Sequence, residues 1–146
     1  MQLIVQTRKS SCNVACMQMV LHHHNIDVDE QHIRDNLPRH RFGSTINEIE
    51  RYLSSNGLLT TQYPSSNNHD RIPDGTFIVG VAKDVDGTAA PHYIVVEKRG
   101  ATCNSYDPQD TASKIVRTEE ILMASRRKEQ RNNVWLRISK ITKERI

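Results

Sequence analysis

Three residues in this chain could do chemistry together: Cys12, His92 eighty positions later, and Asp107, which precedes a proline. Cys12 opens an apolar-periodic segment that runs to Leu21. His92 opens the strand-like run Tyr93-Ile94-Val95-Val96, and Asp107 follows the next such run, Cys103 to Tyr106. A thiol at a helix start, an imidazole on a strand and a carboxylate at a strand end have the types needed for a nucleophile, a base and an orienter. Backbone N–H groups and the helix dipole stabilise a thiolate at such a start, and the adjacent N–H can donate to a developing oxyanion. Gln6, six positions before Cys12, could bring a second donor from its side-chain amide. Each residue also has a plain structural reading: a buried cysteine, a strand histidine, an Asp-Pro turn, a surface glutamine. Cys16, one turn further on, and Cys103, inside a strand pattern, read as core.

The elements that must position these groups change period halfway along the chain. Ser10 or Ser11 can cap a first helix running to about His24, with Val14, Met17, Val20 and Leu21 near helical spacing and Asn25 at its end. Asp29 can cap a short helix from Glu30 to Leu37, closed by Pro38. A third helix starts at Ser44 or Thr45, shows Ile46, Ile49, Tyr52 and Leu53 on one face, and stops at Gly57. Pro64 to Asp70 is polar and reads as a surface loop. Thr76 to Ala82 then reads as a buried strand, bounded by Pro73-Asp74-Gly75 and by Asp84 to Gly87. Tyr93 to Lys98 and Thr102 to Tyr106, joined through Gly100, read as a hairpin. That pairing would bring His92 and Asp107 to one end of the ribbon. Glu119 to Lys128 suggests a further helix, and Val134 to Ile141 a last strand with Val134, Leu136 and Ile138 on one side. Helices first and mostly antiparallel strands afterwards predict an α+β fold, one domain spanning 1–146.

Composition narrows the function classes. A mean hydropathy of −0.62 and 36% hydrophobic residues describe a polar-surfaced chain. No apolar run approaches the ~20 residues that span a bilayer. Met1 to Gln6 lacks the charged start and long apolar core of a Sec signal. The expected location is therefore cytoplasmic, or outside by a route without a Sec signal. The net charge of +3 is spread out except around Arg126-Arg127-Lys128, which reads as a solvated helix end. Aromatic residues are only 5%, with no basic stripe among them, so nucleic acid is not an expected partner. Three cysteines are an odd number and suit a reactive thiol better than a disulfide framework. His22-His23-His24 cannot converge on one ion from a helix, and paired zinc spacings are missing, so no metal and no cofactor is expected.

Taken in order, Gln6, Ser11-Cys12-Asn13-Val14-Ala15-Cys16, His92-Tyr93-Ile94-Val95-Val96 and Tyr106-Asp107-Pro108 resemble the papain-like cysteine peptidases. They are most like the bacteriocin-processing peptidases, which trim double-glycine leaders at the front of export ATPases. Asn25 to Val28, Gly43-Ser44-Thr45 and Asn56-Gly57-Leu58 resemble that family's intervening turns and element starts, so the likeness covers about residues 4 to 122. The resemblance implies a papain-like fold, Cys12 as nucleophile, His92 as base, Asp107 as orienter and Gln6 as the oxyanion glutamine, all four at a cleft. Asn13 stands where the family has Gly, which would bring a side chain toward that cleft, and Ser11 replaces an acidic residue. Free-standing domains of this fold also serve as injected effectors and toxins. The expected function is a cysteine peptidase acting on a protein or peptide substrate. The alternatives are a glutamine deamidase or acyl transferase with the same triad, and a non-catalytic papain-like peptide-binding domain.

Overall fold

The computed structural model describes residues 1–8, 11–37 and 44–140, apart from the side chain of Val85. Helix α1 spans Cys12–His23, α2 Glu30–Asp35 and α3 Ile46–Ser55. The strands are β1 Leu58–Pro64, β2 Gly75–Val85, β3 Thr88–Arg99, β4 Thr102–Tyr106 and β5 Lys114–Arg117; helix α4, Thr118–Ser125, precedes the last strand, β6, Val134–Lys140. The alternative cap Ser10, the stop at Pro38, the step at Gly43 and the strand end at Ile141 lie outside the described residues.

Local chemistry explains the starts of α2 and α3. Asp29 caps α2 by accepting from the His32 N–H at 2.8 Å. Thr45 caps α3 in a reciprocal box: its hydroxyl accepts from the Glu48 N–H, and the Glu48 carboxylate accepts from the Thr45 N–H. Ser11 departs from expectation. It stands at the cap position of α1 but makes no capping bond. Its hydroxyl turns back to Arg8, donating to the carbonyl at 2.8 Å and accepting from the N–H at 3.0 Å. The Ser11 side chain therefore does not cap the helix end that carries Cys12.

The six strands form one antiparallel sheet in the order β1-β6-β2-β3-β4-β5. The last strand thus inserts between β1 and β2. Its alternation places Leu136 and Ile138 against α1 and α3, in a core with Val20, Leu21, Ile49, Leu53 and Ile78. Trp135 points the other way and packs on Phe77, with α4 contributing Ile121 and Leu122. Full burial of each such side chain contributes roughly 1.5–3 kcal/mol, so both faces of the sheet hold the strands that carry the site.

Four elements differ from the reading of the sequence. β2 and β3 run longer, meeting at a two-residue turn of Asp86 (φ 52°) and Gly87 (φ 78°), whose left-handed backbone matches the twist of a tight hairpin. β5 had no apolar alternation to reveal it, because it is a largely exposed edge strand. α4 ends at Ser125, and Arg126 is drawn inward to donate to the Ser65 and Asn67 carbonyls. The basic run therefore pins a loop as well as meeting solvent.

Candidate active site

Cys12 is the first residue of α1 and half-buried. Asn13 does not reach into the cleft. Its side chain is buried and donates to the Ser44 hydroxyl at 2.8 Å. The Ser44 carbonyl in turn accepts from the Tyr93 hydroxyl at 3.3 Å. This chain of bonds ties the start of α1 to the residue beside His92.

His92 is 4% exposed, so it lies in the interior and not on an open cleft wall as expected. Its Nε2 meets Asp107 Oδ1 at 2.7 Å. The Cys12 thiol also acts on the ring, raising its proton affinity. The hairpin through Gly100 does bring His92 and Asp107 together. Asp107 combines its turn role with this contact, since Oδ1 also accepts from the Gln109 N–H at 2.9 Å. Its other oxygen, Oδ2, accepts from Lys83 Nζ at 2.7 Å. Neither Lys83 nor the Gln109 N–H stood out in the sequence.

Electrostatics couple the three groups. Burial lowers the proton affinity of His92, but the Asp107 bond, the Cys12 bond and the charges of both outweigh it and push the imidazole up to about 9. Burial would raise the Asp107 carboxyl, yet the His92 bond and charge, then Lys83 and the Gln109 N–H, hold it well below the usual carboxylate range. An imidazolium paired with a carboxylate is thus the favoured state of His92 and Asp107 at neutral pH. Stability must follow. His92 binds its proton more tightly folded than unfolded, so its contribution is complete below about pH 6.5 and is lost as pH rises through about 9. Asp107 contributes above the ordinary carboxyl range and loses this as pH falls through its depressed value. We predict that chemical denaturation at pH 6 and pH 10 will show a loss of up to about 3 kcal/mol in the wild type and a much smaller one in Asp107→Asn. Equal losses in the two proteins would refute the coupling.

Gln6 is attached to the same end of the site through its backbone, whose N–H donates to the Pro108 carbonyl at 2.9 Å. Its side-chain Nε2 donates to the Arg8 carbonyl, also at 2.9 Å, in the segment leading to Cys12. Gln130 is a further support that the sequence did not suggest. It is buried, and its Nε2 donates to the carbonyls of Val81 and His92 at 2.8 and 3.1 Å.

The other cysteines are elsewhere. Cys16 is fully buried, and burial, with the electrostatic influence of nearby Cys12 and Asp107, pushes its thiol up. Cys103 is buried in the cluster on the α4 side, where burial also raises it. Among the described residues, no three His, Cys, Asp or Glu side chains are placed to hold a metal, and no helix is long and apolar enough to cross a membrane.

Solved structures share this architecture. The double glycine motif protease from an AMS/PCAT transporter, solved with its leader peptide, is 17% identical with a TM-score of 0.70, over 96% of this chain and 91% of that one. The peptidase domain of Streptococcus ComA, a bifunctional ABC transporter in a quorum-sensing pathway, is 16% identical with a TM-score of 0.71, over 96% and 98%. The N-terminal C39-like domain of a toxin secretion ATP-binding protein from Vibrio parahaemolyticus is 12% identical with a TM-score of 0.57, over 93% and 100%. These likenesses establish the papain-like α+β fold. No curated protein matches the chain by sequence. The model of the Peptidase C39 family matches residues 1–122, and so the chain belongs to that family and is a cysteine peptidase.

Proposed function

We propose that Cys12, His92 and Asp107 form the catalytic triad, with Gln6 and the Cys12 N–H as the oxyanion donors. The observation that carries this reading is the 2.7 Å bond from His92 Nε2 to Asp107 Oδ1, together with the electrostatic coupling of His92 to the Cys12 thiol. The thiolate attacks the scissile carbonyl and forms a tetrahedral oxyanion, held by the two donors. His92 then gives its proton to the leaving amine as the C–N bond breaks, and a thioester to Cys12 remains. Water attacks that thioester with His92 taking its proton, and expulsion of the sulfur frees the acid product and restores the thiolate beside a protonated His92. Asp107 holds the ring throughout and carries no proton.

The substrate proposed is a peptide with a double-glycine leader. The support is that a fold neighbour of that specificity was solved with its leader peptide bound. Action as a free-standing effector or toxin, in the cytoplasm or beyond it without a Sec signal, is a further proposal compatible with this chemistry. The test is to incubate the protein, beside Cys12→Ala, with synthetic double-glycine leader peptides and with bacterial and host lysates. New N-termini after Gly-Gly that depend on Cys12 are the expected result. Cys12-dependent cleavage elsewhere would overturn the leader assignment alone. Gln-to-Glu conversion without cleavage would replace the proteolytic reading with deamidation. Peptide binding without either product would leave a binding module.

A further inference from the structure

Asp107 does not face His92 alone. Beyond its Oδ2 lies Lys83 on β2, at 2.7 Å from the carboxylate and 30% exposed. Lys83 is also 3.9 Å from Asp110, which pairs with Lys114 of β5 at 3.2 Å. These groups line a cavity of about 340 Å³ between the sheet and α4, with Glu120 on its α4 wall. The register places Lys83 on the same side of the ladder as His92: Val81 stands opposite His92, and Lys83 opposite Ala90, one step nearer the turn. On its other side the imidazole meets Cys12 of α1, with Cys16 one turn behind.

A triad aspartate with no counter-cation would give its whole charge to the imidazolium. That makes the imidazolium more stable and a poorer acid toward a leaving amine. Here one carboxylate oxygen is committed to an ammonium, while Gln109 N–H and His92 share the other. We propose, resting on the triad reading above, that Lys83 is a positioning residue that balances the charge of Asp107 and so sets how readily His92 releases its proton. Lys83 does not touch the reacting atoms; it acts through Asp107. Asp110 holds Lys83 from behind, and Lys114 offsets the charge of Asp110. The Gln109 N–H keeps Oδ1 in place when Lys83 is changed, so the charge effect can be read apart from gross displacement.

The test is the titration of His92 by NMR of histidine-labelled protein, with its signal assigned among the seven histidines through His92→Gln. Lys83→Met should raise the midpoint by about half to one pH unit, as expected for losing a cation some 5–6 Å away in a partly hydrated site. Lys83→Gln keeps a donor to Oδ2 without the charge and should also raise it. Lys83→Arg keeps the charge and should leave it near wild type. If the first variant does not fold, the second decides. A midpoint unchanged or lowered in folded Lys83→Met or Lys83→Gln overturns the proposal. Asp107→Asn in the same experiment should lower the midpoint strongly. If it does not, the triad reading itself is wrong, a failure distinct from that of Lys83 alone.

Discussion

Cys12→Ala is expected to abolish turnover, by roughly 10⁵- to 10⁶-fold, while leaving the protein folded. Neither of the other two cysteines can take over the thioester. Cys16 is one turn away but fully buried, and Cys103 lies on the far side of the sheet. Cys12 is half-buried at the edge of the core, and alanine keeps its Cβ and loses only the sulfur, so the melting temperature should stay close to wild type. His92→Ala should cost nearly as much turnover, because the imidazole both accepts the thiol proton and returns it to the leaving amine. It differs in stability. His92 is interior and bonded to Asp107 through Nε2, so the alanine leaves Asp107 without its partner and lowers the melting temperature as well. Asp107→Ala should be roughly ten- to a hundred-fold less severe than His92→Ala in rate, since an orienter carries no proton. Cys16→Ala reverses the pattern: some loss of stability from a small cavity, with activity retained in the folded fraction. Turnover on a cleaved peptide, measured beside circular-dichroism melts, separates these four. An active Cys12→Ala, or a stable but dead Cys16→Ala, would mean that the nucleophile is another thiol.

The positions of Cys12, His92 and Asp107 could be read because each sits at an element boundary that local chemistry marks. An apolar period begins at Cys12, a run of apolar residues begins after His92, and Asp-Pro stops the strand before it. Gly100, with φ 59°, joins the two strands in a turn that glycine favours, and this brings the histidine and the aspartate to one end. Other features depended on contacts that periodicity does not carry. β5 is an edge strand with little to bury, so its sequence does not alternate. Gln130 reaches the His92 carbonyl from 38 residues away, after a helix and a turn. Asn13 looked like an obstruction at the cleft because nothing local revealed Ser44 as its partner. Lys83 is different, for its place was encoded. Asp86-Gly87 is a two-residue hairpin signal, and pairing Val85 with Thr88 forces Val81 opposite His92 and Lys83 onto the same side. Treating that turn as the boundary of one strand, and not as the hinge of two, hid the cation beside the triad.

Gln6→Ala is expected to lower kcat by about a hundred- to a thousand-fold, with KM little changed, because an oxyanion donor acts on the transition state more than on the bound substrate. The backbone of Gln6 is fixed to Pro108, next to Asp107, so the residue is registered to the triad and not to a free N-terminal tail. Its Nε2 donates to the Arg8 carbonyl, which orients the side-chain amide that the proposed reading assigns to the oxyanion. This arrangement fixes the amide plane before substrate arrives, which is what a preorganised donor requires. Gln6→Glu is the sharper variant. It keeps size and shape but replaces donors by a carboxylate, which repels both the Arg8 carbonyl and a developing oxyanion, so it should be at least as slow as Gln6→Ala. Gln6→Asn keeps the amide on a shorter arm and should recover part of the loss only if reach allows. A structural role for Gln6 would give another pattern: lower melting temperatures in all three variants and rate losses that follow the unfolded fraction. A Gln6→Ala protein with wild-type kcat would remove Gln6 from the chemistry and leave the Cys12 N–H as the donor to be tested next.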